Sequence, residues 1–422
     1  MHDAPTLKQA TKTWARIGAL SFGGPAAQIA LMHREVVDRQ NWLSERQFLN
    51  ALSFCMLLPG PEAMQLATYA GWRLHGTIGG LIAGLLFVLP GSLVVMALAT
   101  VYVAFGKLPL VAAIFLGIKA TVVVIVVEAL LKVSRRALKR QLHWVLAVLA
   151  FAGIFFFSIP FPAIVLAAGL IGALSAETGD FVDAKPTSVP FSWTLRTVIL
   201  WLIIWWVPVA CIDLLMPGSI LTEIALFFSQ LAVVTFGGAY AVLAYMAQDA
   251  VTLKGWLTTG QMMDGLGLAE TTPGPLILVT QFVGFLAGYA QNGLGFAAVA
   301  AFVTLWVTFT PCFLWIFAGA PYIDRLSQMP RLQGALAAIT AAVVGVILNL
   351  SLWFALHVFF GTVTRTDVGP AVLWLPDLTT HDPLVAVLAA LAAFLLLVRH
   401  WPIYWVLALS GGLAGGVSLL SG

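Results

Sequence analysis

Long apolar runs separated by short polar stretches fill this chain, and many reach the roughly 20 residues that a helix needs to cross a bilayer. Six such runs stand in the first half, at about 14–33, 48–73, 78–105, 109–131, 143–157 and 160–176. A polar, proline-containing stretch from Glu177 to Pro190 follows and reads as a linker. Beyond it lie an unpaired run at about 196–216 and six more at about 222–246, 262–289, 294–319, 333–359, 384–399 and 402–420. The pattern predicts an all-α polytopic membrane protein with about 13 transmembrane segments.

Two of the runs contain helix breakers at matching places, Leu58-Pro59-Gly60-Pro61-Glu62 and Thr272-Pro273-Gly274-Pro275. Pro59 and Pro273 are 214 positions apart, as are Pro61 and Pro275. The same offset lays Phe22-Gly23-Gly24 on Phe236-Gly237-Gly238, Glu35 on Asp249, Trp42-Leu43 on Trp256-Leu257 and Gln47 on Gln261. At an offset of 221, Pro90 meets Pro311, Ile118 meets Ile339, Val122 meets Val343 and Glu128 meets Asn349. The chain therefore reads as a degenerate duplication: an N-terminal repeat over 1–176, a linker over 177–193, an unpaired connecting helix over 194–221 and a C-terminal repeat over 222–422. The unpaired helix makes the first spans of the two repeats numbers one and eight, which run in opposite directions, so inverted topology is expected. Were the two broken segments re-entrant rather than spanning, the repeats would be parallel.

Cytoplasmic loops hold the Lys and Arg excess of membrane proteins. With the N-terminus inside and 13 spans, fifteen of the 21 Lys and Arg fall on the cytoplasmic side. Five, namely Arg34, Arg39, Arg46, Lys107 and Arg365, fall on the other. This predicts a cytoplasmic N-terminus and a C-terminus on the opposite face. Lys8, Lys12 and Arg16 surround a weakly amphipathic start without the apolar core of a cleaved signal, so the N-terminus is expected to be retained.

Composition narrows the chemistry. Hydrophobic residues make up 61% and charged residues 9%, which excludes an ordinary soluble domain. A net charge of +3 with basic residues scattered over loops argues against nucleic acid. Cys55, Cys211 and Cys312 are far apart and His33, His75, His357, His381 and His400 have no ligand spacing, so no disulfide framework, metal or cofactor is expected.

A Pro-Gly-Pro break removes backbone donors and frees carbonyls, which the bilayer core tolerates only where protein or a water-filled cavity lines it. Where the helix restarts, amide groups and the positive end of a half-helix dipole favour an anion. Pro59, Gly60, Pro61, Pro273, Gly274 and Pro275 are therefore candidate binding residues, and a packing kink is the plain alternative. Phe22, Gly23, Gly24, Phe236, Gly237 and Gly238 offer a second close approach of backbone to ligand. Lys119 lies near the middle of a span, with Thr340 as its repeat counterpart. It reads either as the charge that receives an anion or as half of a structural ion pair. Glu62 and Glu270 flank the two breaks and are the proton-coupling candidates, with capping or pairing as the alternative. Gln28, Gln65 and Gln281 offer amides to an oxyanion or to neighbouring helices. Glu128 and Lys132 read as a surface i,i+4 pair, and the loop of Arg34, Glu35, Asp38, Arg39, Glu45 and Arg46 balances its own charge.

Several stretches carry a family resemblance. They are Phe22-Gly23-Gly24-Pro25-Ala26-Ala27-Gln28, Trp42-Leu43-Ser44, Leu57-Leu58-Pro59-Gly60-Pro61-Glu62-Ala63, Phe87-Val88-Leu89-Pro90-Gly91, Phe236-Gly237-Gly238-Ala239-Tyr240 and Gly265-Leu266-Gly267-Leu268-Ala269-Glu270-Thr271-Thr272-Pro273-Gly274-Pro275. Together they resemble the long-chain members of the chromate ion transporter family over essentially the whole chain, although many members carry His where this chain has Gln28. The resemblance implies a bacterial inner-membrane exporter of chromate that confers resistance, built from two oppositely oriented halves. Sulfate is a near-isosteric tetrahedral dianion, so a sulfate or general oxyanion carrier is the second expectation. From another class, a membrane-embedded enzyme acting on a lipid phosphate would want a catalytic cluster that the sequence does not offer. Further expected partners are the lipid bilayer, protons if transport is coupled, and a second copy of the chain in a homo-oligomer.

Overall fold

The computed structural model describes residues 5–106, 108–176, 190–236, 239–326 and 329–421. The expected linker from Glu177 to residue 189, together with Gly237, Gly238 and Lys107, lies outside the described residues. The order of helices is α1 (Leu7–Leu20), α2 (Gly24–His33), α3 (Glu45–Cys55), α4 (Glu62–Phe105), α5 (Pro109–Ala137), α6 (Gln141–Phe155), α7 (Phe161–Leu174), α8 (Phe191–Leu215), α9 (Ile220–Val234), α10 (Ala239–Gln248), α11 (Thr259–Thr271), α12 (Val279–Gly319), α13 (Ile323–Leu326), α14 (Pro330–Phe359), α15 (Pro383–Ala393) and α16 (Ile403–Ser421). Leucines that face outward on these helices, such as Leu93, Leu166 and Leu420, suit hydrocarbon rather than water.

Neither α4 nor α12 is one straight rod. Their helical dihedrals fail at His75 (φ −137°, ψ 28°) and Gly76 (φ 60°, ψ −153°), and at Asn292 (φ −149°, ψ 33°) and Gly293 (φ 71°, ψ −162°). After each failure the chain doubles back. A Cβ on Gly71 would meet the Gly79 carbonyl at 2.3 Å, and one on Gly284 would meet Thr304 Oγ1 at 2.0 Å, so the two arms pack through glycine. The first arm of α4, residues 62–74, is roughly 20 Å long at the helical rise. That is shorter than the hydrocarbon layer.

Local structure repeats along with sequence. A π-turn follows α2 at Arg34–Arg39 and another follows α10 at Asp249–Leu253. Gln40 N–H donates to Glu35 O (3.1 Å) and Trp42 N–H to Val36 O (2.9 Å). At an offset of 214, Lys254 N–H donates to Asp249 O (2.8 Å) and Trp256 N–H to Ala250 O (2.9 Å). Ser44 with Gln47 and Thr258 with Gln261 then form the same reciprocal N-terminal cap, which satisfies donors that a helix start leaves open. Two expected spans, 14–33 and 222–246, prove to be interrupted at equivalent points, between α1 and α2 and between α9 and α10.

One region departs from an all-helical reading. Val363–Val368 and Ala371–Pro376 pair antiparallel as β1 and β2, from Val363 opposite Pro376 to Val368 opposite Ala371. Gly369, at φ 59°, turns the hairpin, and Val372 N–H donates to Phe156 O (2.6 Å) at the end of α6.

The chain forms two compact units, residues 1–99, 176–239 and 272–333 in the first and 100–175, 240–271 and 334–422 in the second. Each sequence half thus contributes to both units. In the first unit α12 packs on α8 and α9, with Trp201 stacked on Phe313 at 5.4 Å and Trp205 Nε1 donating to Ser229 Oγ at 3.1 Å. In the second, α5 is held between α11, α15 and α16. A Cβ on Gly117 would meet the Ser410 carbonyl at 2.1 Å, and one on Gly267 would meet Ile118 Cγ2 at 2.3 Å. Glycine is what lets α16 and α11 close on this stretch of α5.

Candidate functional site

Both helix breaks and the turns that precede α2 and α10 lie in the first unit. α3 stops at Cys55, Gly60 takes φ 111°, and α4 starts at Glu62. α11 stops at Thr271, Gly274 takes φ 89°, and a single 3-10 turn at Leu276–Leu278 leads into α12. Left-handed backbone of this kind falls naturally to glycine. Gly60 N–H donates to Thr235 O at 2.9 Å, and Gly274 N–H donates to Ser21 O at 2.8 Å. Thr235 and Ser21 immediately precede Phe236 and Phe22, so each break is tied to the turn of the other repeat.

Packing follows the same crossed pattern. A Cβ on Gly91 would sit 2.1 Å from Pro273 O, whereas one on Gly60 would sit 3.0 Å from Cys312 Sγ. Gly91 and Cys312 are 221 positions apart. Residue i of one repeat thus meets j of the other, and j meets i, which is the signature of two-fold pairing. Ser21 and Thr235 are buried and each returns its hydroxyl to a carbonyl one turn back, at Ile17 and Leu231.

Three buried glutamines brace this region. Gln28 Nε2 donates to Gly274 O (2.6 Å) and Ser21 O (3.3 Å), Gln65 Nε2 to Pro59 O (2.6 Å) and Gln281 Nε2 to Ser92 O (3.2 Å). Gln28 and Gln65 take up carbonyls at the breaks and at the end of α1, whereas Gln281 reaches a carbonyl inside α4. Gly23 and Gly24 are both at positive φ, and α2 starts directly on them. Glu62 is the half-buried first residue of α4, next to the helix N-terminus that favours its charge.

Lys119 and Glu270 belong to the second unit, where each already has a partner. Lys119 Nζ lies 3.0 Å from Asp264 Oδ1, and the Tyr102 hydroxyl donates to Asp264 Oδ2 at 2.7 Å. The side chains are 18% and 8% exposed for Lys119 and Asp264. Tyr240 donates to Glu270 Oε1 at 3.0 Å. Sequence reasoning passes over Asp264 and Tyr102, and it meets Tyr240 only inside a family motif, with no role assigned. The signal for Asp264 was its place as an acid in the apolar stretch that ends at Glu270.

Outside these clusters charged side chains pair locally, acid with a base close to it in sequence. Glu128 and Lys132 form the expected i,i+4 pair at 2.6 Å, with Lys132 70% exposed. In the loop after α2, Arg39 pairs with Glu35 at 2.7 Å and His33 Nε2 lies 2.6 Å from Glu45 Oε2. His33 Nδ1 also lies 3.4 Å from Asp38, so the imidazole sits between two carboxylates.

Comparison with known proteins gives these features a family. A sequence model described as chromate transporter matches residues 8–173 and 222–416, one stretch in each half. A probable chromate transport protein of Synechococcus elongatus is 30% identical over 405 residues, spanning 93% of this chain and 96% of that one. A chromate transport protein of Pseudomonas aeruginosa is 32% identical over 409 residues, or 95% of this chain and 89% of that one. One from Cupriavidus metallidurans is 29% identical over 356 residues, 82% of each. No solved structure matches the chain. This multi-pass membrane protein therefore belongs to the chromate transporter family, whose members are transport proteins rather than enzymes.

Proposed function

We propose that the chain exports chromate across the bacterial inner membrane, confers chromate resistance, and binds the anion at the two helix breaks, where the repeats meet. The crossed pairing of Gly60 with Thr235 and Gly274 with Ser21 carries this reading, because it holds two interrupted helices open in a region built from both repeats. The amides of Gly60 and Gly274 are already bonded. Helix geometry leaves the next ones for a ligand: Ala63 and Met64 before Gln65 N–H bonds back to Pro61 O, and Leu276 and Ile277 before Leu278 N–H bonds back to Pro275 O. Phe22, Gly23, Gly24 and Phe236 would wall the site, with Gln28 and Gln65 bracing it, and Lys119, in the second unit, would be a separate station for the anion. The matched π-turns, caps and kinks support two repeats, and the charge asymmetry of the loops supports thirteen spans with inverted topology, the N-terminus inside and the C-terminus in the periplasm.

Thermodynamics favours export without any other gradient. Each elementary charge is worth about 2.3 kcal/mol per 100 mV, so a cytoplasm at roughly −100 mV drives a dianion outward by about 4.6 kcal/mol. Protonation of Glu62 or Glu270 would add coupling to that drive.

Flux of labelled chromate and sulfate in proteoliposomes of purified protein, under an imposed potential with the pH gradient on or off, tests this. Chromate efflux that follows the potential is the expected result. A further requirement for the pH gradient would assign Glu62 and Glu270 to coupling, sulfate flux without chromate would favour a general oxyanion carrier, and no flux of either would overturn the reading.

A further inference from the structure

Asp264 sits where three elements converge: it lies on α11, bonded to Lys119 of α5 and to Tyr102 near the end of α4. Among the described residues of the two helices packed on it from the other side, this triad faces no charged group. The helices packed on α5 and α11 from the other side span residues 383–398 and 403–421, whose only titratable group is the phenol of Tyr404. Farther along α11, Glu270 is engaged by Tyr240, and farther along α5, Glu128 is engaged by Lys132. Among the described residues, then, Asp264 is the one carboxylate paired with the Lys119 ammonium.

Two observations argue against a bridge kept for stability alone. A buried ion pair seldom outperforms well-packed apolar side chains of the same volume. The fold also carries uncharged residues at both equivalent positions of the other repeat, Asn50 at an offset of 214 from Asp264 and Thr340 at 221 from Lys119. The ammonium is moreover the more accessible partner. Gly260 faces it without a side chain, since a Cβ there would stand 3.7 Å from Nζ.

We infer that Asp264 is the proton-controlled counter-ion of Lys119: ionised, it holds the ammonium, and protonated, it yields it to a tetrahedral oxyanion. The step moves a single proton from water to the carboxylate oxygen and breaks no covalent bond. The neutral acid then has an O–H of its own, and the Tyr102 hydroxyl, which can donate or accept, keeps it in place while Lys119 is free. Proton and anion are therefore loaded together, and loss of the proton expels the anion as Asp264 reclaims its partner. The inference rests on the reading of Lys119 as a station for the transported anion and adds the group that decides when it is vacant.

Equilibrium binding of labelled chromate to purified protein, from mildly acidic to mildly alkaline pH, is the test. Chromate takes up a proton in this range itself, so variants and parent are compared at each pH. Where Asp264 is ionised, the apparent Kd of the parent should rise about tenfold per pH unit, because only the protonated fraction is competent. Asp264→Asn should abolish that excess dependence, keep only the dependence that chromate's own protonation imposes, and bind more tightly than the parent at alkaline pH. Lys119→Met combined with Asp264→Leu, which removes the pair without leaving a lone buried charge, should remain folded by thermal melt and bind weakly at every pH. A variant Asp264→Asn with the parent's pH profile would overturn the inference and leave chromate transport standing. Absence of chromate binding and flux in the parent would instead overturn the functional reading on which it rests.

Discussion

Single glycines set what this fold tolerates. Gly91 is the sharpest instance, because a methyl group there would lie 2.1 Å from the backbone oxygen of Pro273, which has no rotamer to move aside. Gly91→Ala should destabilise the protein by about 1–3 kcal/mol through overpacking and should lower transport as well, since the displaced strand is the second break. Gly412→Ala is the contrast. Nothing lies within 4 Å of that position in α16, and helical propensity favours alanine there, so its melting temperature in detergent should hold or rise. Residues of this kind were partly legible. Pro and Gly have few meanings inside an apolar run, so the breaks at Pro59–Pro61 and Pro273–Pro275 showed plainly. Asp264 did not, because an acid in a membrane segment is interpretable only when its partner is known, and Lys119 lies far from it in the chain.

At the scale of elements, the informative device is the reversal within α4 and α12. Gly76 and Gly293 share a region of dihedral space, φ 60–71° with ψ near −153° to −162°, that is essentially closed to residues with a Cβ. Neither has a neighbour within 4 Å. Gly76→Ala and Gly293→Ala should therefore each cost about 1–3 kcal/mol through backbone strain alone. Equal losses in melting temperature would show that the two turns do the same job, and a neutral effect at either would show that its turn can adopt another form. The reversals were legible as the gaps between the runs at 48–73 and 78–105 and between those at 262–289 and 294–319. Hydropathy did not give the form of the joint, a two-residue turn with glycine at positive φ. The strand pair was missed differently: Val363 to Pro376 alternates and carries Gly369-Pro370 at its centre, yet a short polar segment between two spans reads as connection first.

For the whole molecule, the duplication was the most legible feature and the packing the least. An offset of 214 can be read from letters, but only coordinates show that each compact unit is assembled from both halves. Neither half holds the full contents of a unit, so neither should fold alone. A chain cut within 177–189 and produced as two co-expressed fragments should assemble and keep chromate flux, while either fragment by itself should be degraded. Recovery of one fragment as a stable, monodisperse protein would count against this interleaving.

The crossed bonds between Gly60 and Thr235 and between Gly274 and Ser21 have a genetic consequence. Each half supplies one plug and one socket, and the plug of either half fits the socket of the other. A lesion in the first break is therefore felt in trans, at the turn before α10, and a lesion in the second is felt at the turn before α2. Mutations at these contacts should therefore sort by the contact they damage rather than by the half in which they lie.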